Sequence, residues 1–77
     1  MIRKLQAVET YHFGFYIVVL EGLKNDINGN RRFKATIIDR NATATSMSAV
    51  YTFTGHCMTE REEAEWVLNL HLDESQN

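Results

Sequence analysis

The alternation of apolar and polar positions is clearest in the last third of the chain. Met47, Ala49, Tyr51 and Phe53 fall on one side of an extended segment. Ser48, Thr52 and Thr54 fall on the other, with Val50 as the apolar exception. Period two with one apolar side predicts a half-buried strand ending near Gly55. Phe13 to Leu23 is different, because Phe13, Phe15, Tyr16, Ile17, Val18 and Val19 make it apolar on both sides. Such a run predicts a strand covered on each face. Arg31 to Asp39 alternates again, with Phe33, Ala35 and Ile37 against Arg32, Lys34 and Thr36, and Ile38 adding an apolar group to the polar side.

Between these two runs lies Lys24-Asn25-Asp26-Ile27-Asn28-Gly29-Asn30. Asn-Gly favours the positive φ of tight hairpin turns, so the runs pair as an antiparallel hairpin. A two-residue turn at Asn28-Gly29 would put Tyr16, Val18 and Leu20 on the face shared with Phe33, Ala35 and Ile37. One extra loop residue would exchange the faces of the first strand.

Thr59-Glu60-Arg61-Glu62 is a capping box, in which hydroxyl and carboxylate each accept from the other residue's amide. The helix it starts is expected from about Glu60 to His71, with Ala64, Val67, Leu68 and His71 on one stripe. Leu68 to Asp73 also alternates with period two, which admits a final strand. The helix propensity of Glu60 to Glu65 favours the helix. Ile2 to Tyr11 fits neither period and reads as an opening strand, since no turn-forming glycine or proline separates it from the strand that follows. The expected fold is α+β: a three- or four-stranded antiparallel meander against one C-terminal helix, with residues 1–72 a single domain and 73–77 a polar tail.

Composition narrows the function classes. Seventy-seven residues, 44% hydrophobic and 23% charged, are enough for one small core. A net charge of −2 gives no overall attraction to nucleic acid or anionic lipid. The single cysteine, Cys57, excludes an intrachain disulfide and is expected to be a small buried group. No leader or membrane helix is expected, so the address is read as cytoplasmic.

Cys57 beside His56 has no metal-ligand spacing, and the phosphate-loop, dinucleotide and hydrolase signatures are absent. Glu60, Glu62, Glu63 and Glu65 read as an acidic helix start that complements the helix dipole. No cofactor, metal or small-molecule substrate is therefore indicated, and the chain reads as non-enzymatic. Two binding readings remain. Basic Lys24, Arg31, Arg32, Lys34 and Arg40 gather around the hairpin, apart from the acidic helix start. With Phe15, Tyr16 or Tyr51 as stacking groups they could contact nucleic acid. Alternatively, one helix covers only one sheet face. Ile38 and Val50 then enrich the other, which residues 1–12, a protein partner or a second copy of the chain would cover. The second reading is preferred: a small accessory protein acting through a protein surface.

Overall fold

The computed structural model describes residues 8–40, 48–56 and 59–75. It contains four strands, β1 (Val8–Phe13), β2 (Tyr16–Leu23), β3 (Arg32–Asp39) and β4 (Ser48–Thr54), followed by one helix, α1 (Glu60–Ser75). The strands form an antiparallel sheet in the order β1-β2-β3-β4. The α+β meander with a single C-terminal helix is therefore the observed fold. Among the described residues, no helix is long and apolar enough to cross a membrane.

The run Phe13–Leu23 is not one strand. Gly14 adopts φ +63° and, with Phe15, forms a two-residue turn, so that Phe13 pairs with Tyr16 across β1 and β2. A left-handed φ at this place suits glycine, which has no Cβ to clash. The consequence is topological. Val8 to Phe13 extends the sheet in its own plane, so this part of the N-terminal stretch does not cover a sheet face. Residues 1–7 lie outside the described residues.

The β2–β3 connection is longer than a two-residue turn, yet it preserves the facing that such a turn would give. Gly29 N–H donates to Asp26 O at 3.0 Å, and Asp26 N–H donates to Asn30 O at 3.0 Å. These bonds enclose a three-residue loop, with Gly29 at φ +86°. Asp26 Oδ1 also accepts from the Asn28 and Asn30 amides, both at 2.9 Å. These bonds, that of the Asn30 amide first, hold the Asp26 carboxyl below its ordinary pKa. The regular ladder resumes only at Leu23 opposite Arg32, so Lys24 and Asn25 stand against Arg31 alone. The loop residue and this bulge each displace the register by one. Two displacements restore the original parity.

Val18, Leu20, Phe33, Ala35 and Ile37 thus share one face, and Ala64, Val67 and Leu68 of α1 pack on it as a single buried cluster. Tyr11, Phe13, Tyr16, Tyr51, Phe53, Trp66 and Leu72 line its margin. The capping box forms as its residues predict: Glu62 N–H donates to Thr59 Oγ1 at 3.2 Å and Thr59 N–H to Glu62 Oε1 at 3.0 Å. The helix runs through Leu68–Asp73 and on to Ser75, so it continues past His71 and no final strand forms there. The period-two alternation there gives way because Leu68 and Leu72, four apart, both meet the core.

Candidate binding surface and a buried carboxylate

The pairing register arranges the sheet face opposite α1 into cross-strand rows. Val8, Glu21, Lys34 and Thr52 form one row, and Thr10, Val19, Thr36 and Val50 the next. Beyond them, His12, Ile17 and Ile38 align; at the other end Leu23, Arg32 and Thr54 align. One half of this face is rich in β-branched groups and the other carries charge. Val50 is 57% exposed and Val8 58%. No described element lies over it, because α1 packs on the other side, chiefly against β2.

Four of the six expected binding residues meet here: Arg32, Lys34, Ile38 and Val50. Ile17 and Val19 join them from β2. Their membership was hidden in a strand whose residues are apolar on both faces. Arg40 stands apart in the turn after β3, where its N–H donates to Phe15 O at 2.8 Å. Of the expected stacking aromatics, Tyr16 and Tyr51 belong to the helix-side margin, and Phe15 occupies the β1–β2 turn at 64% exposure.

Arg31 faces the helix instead. Its Nη1 lies 3.2 Å from Glu60 Oε2 and its Nη2 3.5 Å from Glu63 Oε2, while its guanidinium sits 5.2 Å from the Phe33 ring centroid. The expected separation of a basic hairpin from an acidic helix start therefore fails at Arg31, while Arg32 and Lys34 lie on the opposite sheet face. Folding brings Arg31 to the helix start, where it neutralises part of the acidic turn.

Glu63 is the residue that sequence reasoning placed among solvated acids and that the structure buries completely, at 0% exposure. His56 Nδ1 is 3.4 Å from Glu63 Oε1, and the His56 ring meets Trp66 edge-on at 4.3 Å. Gly55 permits this approach, since a Cβ there would stand 2.7 Å from both Glu63 Oε2 and Phe33 Cε2. A signal was available: Glu63 precedes Val67 by four and Ala64 by one, at the border of the apolar stripe. The acid-rich context hid it.

Beside this cluster is a cleft of about 290 Å³, with Leu20, Gly22 and Phe33 at its floor and Glu9, Arg31 and Glu60 at its rim. The rim charges are already engaged, Arg31 with Glu60 and Glu9 as acceptor for Tyr11 Oη at 2.6 Å. Desolvation first, then that hydrogen bond, push the Tyr11 phenol up to about 12.

His71 is half-buried, as expected of a packing residue: its Nδ1 lies 2.9 Å from Tyr51 Oη, which also donates to Glu74 at 3.2 Å. Cys57 lies outside the described residues. Among the described residues no group of histidine, cysteine and carboxylate side chains is gathered to hold a metal ion. Comparisons with protein-family models, with curated proteins and with solved structures each found no match.

Proposed function

We propose that this chain is a non-enzymatic binding protein of the cytoplasm that acts through the open sheet face. One observation carries the reading. Ile17, Val19, Ile38 and Val50 gather in two adjoining rows on the face opposite the helix, with Thr36 between Val19 and Val50, the Glu21–Lys34 row beside them and Arg32 one row beyond. Scattered exposed apolar residues are ordinary, whereas a contiguous patch with a charged border is the usual composition of a contact surface. The four candidate residues that share this face then have roles: Ile38 and Val50 supply apolar contact, and Arg32 and Lys34 orient the partner.

A photo-crosslinking residue introduced at Val50 in cells tests this. The expected result is one defined adduct, lost when Ile17→Lys is added, with none from the same group at Asn69 on the exposed side of α1. No adduct at Val50, or the same mixture from both positions, overturns the reading. Salt-dependent binding of single-stranded DNA or RNA that is lost in Arg32→Glu would transfer the face to nucleic acid.

A further inference from the structure

We infer that the occupant of the open face is a second copy of this chain, packed sheet to sheet about a two-fold axis parallel to the strands. The inference rests on the surface reading above and adds the partner's identity and geometry.

The argument comes from the symmetry of the rows. Strands β2 and β3 are the two central strands, and Glu21 of β2 stands directly opposite Lys34 of β3. Let two such faces meet about an axis that lies in the interface, between β2 and β3. Every β2 residue then lies over the partner's β3 residue of the same row. Glu21 meets the second copy's Lys34, and Lys34 meets its Glu21. In the adjoining rows Val19 meets Thr36, Ile17 meets Ile38, and Thr10 of β1 meets Val50 of β4. At the end of the face Leu23 meets the second copy's Arg32. Opposite charges cross twice, once on each side of the axis, which is the self-complementarity an isologous dimer requires.

The alternative axis, perpendicular to the strands, fails the same test. It would lay the Glu21–Lys34 row on Val19 and Thr36, leaving both charges desolvated without a partner, whereas Arg32 faces an apolar group under either axis and does not decide between them. Among the described residues neither Glu21 nor Lys34 is engaged in an ion pair within the chain, so both are available across the interface. Either axis gives the aligned class of sheet packing, with layers about 10 Å apart and mean strand directions within about 30°, so the charges make the choice. The product is a four-layer particle with the helices outside and two sheets inside.

Area sets the strength. Strands of 6, 8, 8 and 7 residues, about 4.8 Å apart, present about 450 Å² each, or about 900 Å² for the pair. That is the lower end for a specific interface, so the dimer is reversible, forming in the micromolar range and above. The crossed ion pairs act mainly on register and orientation, since charge pairs at interfaces add more specificity than affinity.

A charge-exchange experiment on the full chain separates this geometry from others. Sedimentation equilibrium of the native chain should shift from 8.9 kDa toward twice that mass as concentration rises. Glu21→Lys alone and Lys34→Glu alone should each dissociate at least tenfold more readily, because like charges now oppose each other across the axis. Mixed, the two variants should form a heterodimer with native-like affinity, since one presents two cations and the other two anions. Thermal melts of the separate variants identify any that fail to fold; Glu21→Gln and Lys34→Gln, with a weaker expected loss, serve in their place.

A native chain that stays monomeric at millimolar concentration overturns the inference. If the Val50 crosslinker then still captures one defined species of another kind, a different protein, the surface reading survives and only the second copy falls; an adduct to residues 1–7 of the same chain overturns both. A native dimer whose charge variants show no preference for each other also overturns it, assigning the dimer to another surface such as an edge strand.

Discussion

Gly55→Ala adds one methyl group at a glycine with close neighbours on two sides. The new Cβ would lie 2.7 Å from Phe33 Cε2, 3.3 Å from Phe33 Cδ2 and 2.7 Å from Glu63 Oε2. Neither neighbour has an easy retreat. Phe33 is 5% exposed and is held between the Phe53 ring, at 5.8 Å between centroids, and the Arg31 guanidinium at 5.2 Å. Glu63 is held by Arg31 and His56. Overpacking of this kind costs about 1–3 kcal/mol. Against it stands about 0.4–1 kcal/mol gained because alanine has less freedom than glycine in the unfolded chain. The net destabilisation is then about 0–2.6 kcal/mol. For a chain this short each kcal/mol lowers Tm by about 4–8 °C, and total stability is on the order of 4–12 kcal/mol. Urea unfolding followed by tryptophan fluorescence, with an unchanged m-value, measures the effect. The double variant Gly55→Ala, Phe33→Leu should cost less than the sum of its parts, because removing the ring edge removes the clash. A raised midpoint for Gly55→Ala, or strict additivity with Phe33→Leu, would refute the steric argument.

Other outcomes follow from the same structure. Thr59→Ala removes the hydroxyl that accepts from Glu62 N–H and should cost about 1 kcal/mol, measured by thermal melt. Ile37→Ala, at a position 1% exposed, should cost about 2–5 kcal/mol by leaving a cavity under α1. Spectrophotometric titration should find one tyrosine ionising near 12 and absent in Tyr11→Phe. Because the folded value is raised above the ordinary 10.0, the associated stability is present below pH 10 and is lost as pH rises toward 12. Asp26 has the opposite sign. Its folded value lies below 3.8, so its contribution is present above that pH and is lost on further acidification, a dependence that Asp26→Asn should remove.

Features that depend on neighbours in the chain were legible from the residues. Thr59 and Glu62 are three apart, and a capping box requires nothing beyond that spacing. Period two in β4 placed Tyr51 and Phe53 on one side and Val50 on the other without reference to any partner. The α+β class and the meander follow from such local signals. Gly14 shows where they end. A glycine within an apolar run is compatible with a strand interior or a turn, and only pairing of Phe13 with Tyr16 selected the left-handed conformation. Register behaves similarly. The local sequence allows several loop lengths, and it took a three-residue loop plus a bulge to set which face of β2 met the helix.

The side chains at issue for function depended most on tertiary structure. Arg31 and Arg32 are adjacent and chemically identical, yet alternation sends one to the acidic helix start and the other to the open face. Which goes where is a matter of parity across the whole hairpin. Glu63 resembles the glutamates around it until Gly55 and Phe33 close over it, because burial is a property of everything packed against a residue and not of the residue type. That no described element covers the second sheet face has the same origin: Val8–Phe13 is an edge strand, and that choice belongs to the fold as a whole.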